Sequence, residues 1–206
     1  MLRAIKRKGF TLVELLIVIV VIGILAAGMV IAASEMEATA KATKIINDLR
    51  MLNTAAQHWY IDNSLNIYLT TNDGYHIKIN NKDYKIHDAL QSDGYGIKTY
   101  ISNNAFALNT GKKNVWSTMY AAVGGYSVYV GFDNTVCYAV YRISDDDKKR
   151  DYGRLREKLK GKAKSTGLVY YTYNNSAANK KETVYNGENF VCMRSFVLDD
   201  AKLITK

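Results

Sequence analysis

The stretch Lys6-Arg7-Lys8-Gly9-Phe10-Thr11-Leu12-Val13-Glu14-Leu15-Leu16 sets the architecture of this 206-residue chain. Residues 1–9 carry Arg3, Lys6, Arg7 and Lys8 and no acid. From Phe10 to Ala33 the chain is almost wholly apolar, with Glu14 its only charge. The 19 uncharged residues Leu15–Ala33, at about 1.5 Å each, make a helix of roughly 28 Å, close to the thickness of a bilayer core. The basic leader marks the cytoplasmic side, so the chain beyond the span is exported. An acid inside such a run is costly, up to about 2.5–3.5 kcal/mol at the bilayer centre, and points to a function for Glu14.

Two simpler readings compete. A secretory signal peptide would put a small-residue cleavage site after the apolar run, and Ala26-Ala27-Gly28 and Ala32-Ala33-Ser34 are weak candidates. A plain signal anchor would need no cleavage. Neither accounts for Glu14.

The stretch from Lys6 to Leu16, continued by Ile17-Val18-Ile19-Val20-Val21-Ile22-Gly23-Ile24-Leu25-Ala26-Ala27, resembles the prepilin signature of type IV pilins and type II secretion pseudopilins. The resemblance implies an α+β, pilin-like fold: a long N-terminal helix, half membrane span and half amphipathic stem, packed on a mainly antiparallel β-sheet head. It implies a leader, residues 1–9, removed between Gly9 and Phe10 by a prepilin peptidase, and N-methylation of Phe10. Glu14 matches the family's acid, which faces the N-terminal amine of a neighbouring subunit. Two isolated charges in a fibre core would each cost several kcal/mol, about what a close pair recovers, so the pair favours one axial register. The implied partners are other copies and other pilins, the peptidase, an inner-membrane platform with its ATPase, and the membrane before assembly. The implied location is the inner membrane with the head exported, then a surface pilus or a periplasmic pseudopilus. No cofactor is implied.

The chain has no proline, where average usage of about 5% would give roughly ten. Abundant Asn, Lys, Ile and Tyr, as in proteins from AT-rich genomes, are one explanation. Many major type IV pilins place a proline eight residues beyond the glycine matching Gly23. Here that position is Ile31, which argues for an unkinked stem.

Beyond Ala33, Ile45, Leu49, Leu52, Ala56 and Trp59 recur at helical spacing as one apolar stripe. Asp62-Asn63-Ser64 offers a stop. The N-terminal helix is thus expected over 10–62, with a transmembrane or fibre-core half, 10–33, and an amphipathic half, 34–62. Residues 63–206 read as a globular, β-rich head. Candidate strands are Tyr75–Ile79, Tyr84–Ile86, Ile97–Ile101, Val115–Met119, Tyr126–Phe132, Thr135–Ile143, Gly167–Tyr173 and Asn189–Val197. Asn80-Asn81 and Asp133-Asn134 are hairpin-grade turns.

Cys137 and Cys192 both fall in strand candidates. In an exported head they would pair, closing a loop worth roughly 4 kcal/mol on the chain-entropy model, and the resemblance supports such a C-terminal staple. Two buried free thiols are the alternative.

The net charge is +9. Of this, +4 sits on the leader and +5 in residues 142–164, which hold ten basic and five acidic residues; the rest is neutral. Ser144–Asp147 resembles a capping box, Gly161 a helix stop, and Tyr152, Leu155 and Leu159 form a narrow apolar stripe. A surface helix accounts for this pattern without a ligand. The functional alternative is a patch for DNA or an anionic surface polymer, carried by Arg154, Arg156, Lys158, Lys160, Lys162 and Lys164. Asp145–Asp147 lack the spacing of a calcium loop.

No enzyme motif is found. Gly125-Tyr126-Ser127-Val128-Tyr129 fails the nucleophile elbow at its last position. Gly94-Tyr95-Gly96 lacks the third glycine of a dinucleotide loop.

Overall fold

In a computed structural model, the structure describes residues 9–70, 74–92, 94–101, 125–130, 136–143, 150–172 and 181–198. The first element, α1 (Leu12–Asn63), is one unbroken helix of 52 residues, about 78 Å long. It starts two residues after Phe10 because Thr11 caps it. The Glu14 backbone N–H donates to Thr11 Oγ1 at 3.2 Å, and the Thr11 backbone N–H donates to Glu14 Oε2 at 2.8 Å. This reciprocal pair is a capping box. Ile31, Gly23 and Gly28 all lie within the continuous helix.

The two halves of α1 differ in burial as expected. Every residue from Gly9 to Ala33 is exposed. Burial begins at Ala38 and takes in Ile45, Leu49, Leu52, Ala56 and Trp59, the stripe read from the sequence, widened by Ala42, Ile46 and Ala55. The helix ends at Asn63 and tightens into a 3-10 turn over Ser64–Asn66. Asn63 Nδ2 donates to the Trp59 carbonyl at 2.8 Å and Ser64 Oγ to the Ile61 carbonyl at 3.2 Å, so the last turn finds partners.

Among the described residues the head is built on two antiparallel sheets, giving an α+β fold. The smaller is a meander of β1 (Ile67–Thr70), β2 (Gly74–Ile79) and β3 (Lys82–Lys85). Asn80 (φ 50°) and Asn81 (φ 63°) both adopt the left-handed conformation between β2 and β3, as a two-residue hairpin turn demands. Ile67 and Ile77, paired across the strands, are both buried in the core.

Two of the expected strands differ. Ile86 opens a short helix, α2 (Ile86–Leu90), because Ile86, Ala89 and Leu90 reach the core at helical spacing. Ile97–Tyr100 is a 3-10 turn rather than a strand. Gly96 fixes it: an added Cβ would sit 2.4 Å from the Ser92 carbonyl oxygen, too close for any side chain. The segment is pinned to the end of α1, where Trp59 Nε1 donates to the Tyr95 carbonyl at 2.8 Å and Tyr100 OH to Asp62 Oδ2 at 2.9 Å.

The larger sheet comprises β4 (Tyr126–Val130), β5 (Val136–Arg142), β6 (Leu168–Thr172), β7 (Lys181–Val184) and β8 (Phe190–Val197), in the order β4-β5-β8-β6-β7. The sequence patterning missed β1 and β7, each only four residues long. Val115–Met119, Asp133-Asn134 and Ser144–Asp147 lie outside the described residues. The amphipathic half of α1 covers one face of this sheet, with Phe196 stacked on Tyr60 at 4.5 Å. Tyr129, Val136, Tyr138, Val140 and Cys192 form a second buried cluster.

Between β5 and β6 runs α3 (Arg150–Thr166), which buries Leu155, Leu159 and Ala163. Gly161 does not stop it. The helix continues to Thr166 and ends at Gly167, whose φ of 72° is the left-handed cap conformation.

A polar contact is buried in this core. Tyr126 OH donates to Asp48 Oδ2 at 2.6 Å, tying β4 to α1. Burial, then the Asp48 carboxyl, push the Tyr126 phenol pKa well above its ordinary value. Tyr126→Phe removes that donor from a buried carboxyl, so it is expected to cost about 1–3 kcal/mol. Urea unfolding in detergent reads this as a lowered midpoint, and an unchanged midpoint would show that Asp48 is satisfied by water.

Candidate functional site

The site begins where the chain has no internal partner. Phe10 is 89% exposed, and Leu12, Val13, Leu15 through Ile22, Ile24, Leu25 and Met29 through Ile31 all stand open around the helix. Each such side chain gains about 1.5–3 kcal/mol on leaving water, so this half of α1 requires a lipid or protein cover. It is long and apolar enough to cross a membrane.

Glu14 sits at the start of this surface. Its Oε2 accepts from both the Thr11 backbone N–H and Thr11 Oγ1, each at 2.8 Å. The acid thus caps its own helix and faces the positive end of the helix dipole, which offsets part of the cost of placing it among apolar residues. Gly9 and Phe10 precede the cap in non-helical, exposed backbone.

With this geometry in place, the comparison with protein families is decisive for the N-terminus. Residues 5–30 match the family model for the prokaryotic N-terminal methylation motif. The chain carries the prepilin signature. That signature, common to type IV pilins and pseudopilins, marks a pilin-like precursor, and together with the apolar helix it fits a membrane-anchored one. It is the mark of a structural subunit rather than an enzyme. No curated protein and no solved structure matches the chain.

The six basic residues of α3 do not act as one patch. They form two rows flanking its buried stripe. Arg154, Lys158 and Lys162 turn toward α1: Arg154 donates to Ser34 Oγ and lies 3.8 Å from Glu35, Lys158 Nζ is 2.7 Å from Glu35, and Lys162 Nζ donates to Thr43 Oγ1 at 3.0 Å. Arg156 is half-buried on the other side and donates to Asn189 Oδ1. Lys160 and Lys164 are exposed. Four of the six therefore engage partners within the chain. Sequence reading missed Ser34 and Glu35 as those partners, because nothing local links residue 35 to residue 158. It also missed Asp48, which reads as an ordinary polar position beside the stripe. A groove of about 780 Å³ runs along α1 from Glu35 to Asp48.

The expected cysteine pairing is corrected by the sheet register. Cys192 lies opposite Val140, three residues from Cys137 along β5. That offset is about 10 Å along the strand, beyond the Cα separation a disulfide spans. The side chains also face opposite ways: Cys137 packs in the α1-covered core, and Cys192 in the second cluster. Both are buried thiols outside any disulfide, and burial pushes the Cys137 thiol well above its ordinary range. In the folded protein neither is expected to react with maleimide until denaturant is added. The intact mass should be the same before and after reductant. A loss of two hydrogens without reductant would refute this register.

Proposed function

We propose that this chain is a structural subunit, a prepilin that is cleaved between Gly9 and Phe10, N-methylated at Phe10 and polymerised through α1 into a type IV pilus or pilus-like fibre. One observation carries the reading: a single continuous helix is wholly exposed and apolar over its motif-bearing half and is the core of the head over the other half. Lipid covers the exposed half before assembly, and other copies cover it afterwards.

Cleavage would leave a cationic amine on Phe10. In the separate subunit Glu14 is held by Thr11 through Oε2 alone, and no described residue donates to Oε1. That oxygen is open to the amine of a neighbouring subunit. Thr11 thus keeps the acid tolerable while the chain waits in the membrane, and the second oxygen sets the register on assembly. The peptidase, the platform and its ATPase act in trans. The head is exported by the positive-inside rule.

A secretion pseudopilin uses the same N-terminus, and the unbroken helix at Ile31 suits either machine. A DNA- or polymer-binding role for the basic helix has less support, since most of its cations already hold the fold together.

Intact mass of the processed protein should show loss of residues 1–9 and one added methyl group. Glu14→Ala should leave insertion and processing intact but reduce fibre incorporation at least tenfold, scored by immunoblot of sheared fibres. Normal fibres from that variant would refute the pairing.

A further inference from the structure

We propose that the first turns of α3 are a docking surface for anionic phospholipid headgroups of the bilayer that α1 spans, on the side holding the head. The proposal rests on the reading of α1 as a membrane span.

Position is the first argument. The apolar run ends at Ala33, and Arg154 donates to Ser34 Oγ, the next residue. Arg154 and Lys158 then share Glu35, at 3.8 and 2.7 Å. The start of α3 is thereby fastened to the turn at which α1 leaves the hydrocarbon, so it lies at headgroup height.

Direction is the second. Lys158 meets Glu35, and Lys162, further along α3, meets Thr43, further along α1. The two helices run parallel. The N-terminal end of α3 faces the bilayer, presenting the positive end of its dipole to the phosphates.

Charge is the third. Between Arg150 and Thr166 there are seven basic and two acidic residues, Asp151 and Glu157. At the membrane end two cations share the one carboxylate of Glu35, leaving an excess positive charge. Both stay reachable, with Arg154 33% and Lys158 37% exposed. Lys160 is exposed and about 3 Å further along the helix axis, in the row on the other side of the buried stripe. Basic residues at an anionic leaflet strengthen attachment by about fivefold each. The head would then stand upright on anionic lipid, with the α1–α3 seam held at the surface until the subunit is extracted.

The test uses the full chain in vesicles. Gly153→Cys places a fluorophore on the exposed face of the first turns of α3, where an added Cβ meets nothing within 4 Å. The two native thiols are buried, so labelling is selective. Leu65→Cys, 98% exposed, is the distant control, about 48 Å beyond Ala33 along α1. Nitroxide-headgroup lipid should quench the label at position 153 and not at 65. Replacing part of the phosphatidylcholine with phosphatidylglycerol should raise quenching at 153 about twofold, and high salt should reverse the gain. The combined variant Glu35→Gln, Arg154→Gln, Lys158→Gln should lose the lipid dependence, while Arg154→Lys with Lys158→Arg, which keeps both charges beside Glu35, should retain it. Quenching at 153 that ignores lipid charge and salt in the unaltered chain overturns the docking. Failure of the chain to resist alkaline carbonate extraction overturns the span reading itself.

Discussion

Ile45, Leu49, Leu52 and Trp59 leave water in one core shared with β5, β8, α3 and the Ile97–Tyr100 turn, and this packing of the head onto the stem helix organises the molecule. It fixes which face of α1 is internal and which strands are central. It also decides where the helix stops being part of the head. The same helix continues unbroken past Ala38 into the exposed apolar half, so whatever holds that half also aims the head. No proline or helix break loosens the connection, and a rigid rod is the mechanical consequence.

Polar groups are placed at the two transitions along this rod. At the tip, Thr11 and Glu14 satisfy each other and start the helix. At the exit from the apolar zone, Ser34 and Glu35 are taken up by Arg154 and Lys158. Deeper in the head, Asp48 is taken up by Tyr126. Each acid on α1 that the structure brings close to apolar surroundings has a donor, as the cost of burying unpaired polar groups requires. The basic charge of α3 is thus largely architectural, with its remainder gathered beside the span.

The long elements were legible from residue order because their patterns are long. Nineteen apolar residues and five stripe positions over four turns leave little ambiguity of period. The Asn80-Asn81 turn was legible for a chemical reason, since asparagine tolerates the left-handed conformation. The errors fall where local preference is weak or tertiary contact overrides it. Ile97–Ile101 looks like a strand, but Gly96 folds it tightly under Trp59. Gly161 looks like a helix stop, but Leu159 and Ala163 pack on either side of it and carry the helix onward. β1 and β7 are too short to show an alternation.

Residue order alone determined the prepilin signature, the span, the stem stripe and the division of charge between leader and basic segment. These are properties of neighbours in sequence, set by helix period and hydropathy. Only the tertiary structure decided the fate of the cysteines and of the basic helix. Whether two strand thiols meet depends on register and facing, and β5 and β8 set Cys137 and Cys192 apart on both counts. Whether a cation is offered outward or used internally depends on what packs beside it, and α1 brings Ser34, Glu35 and Thr43 to α3 from more than a hundred residues away.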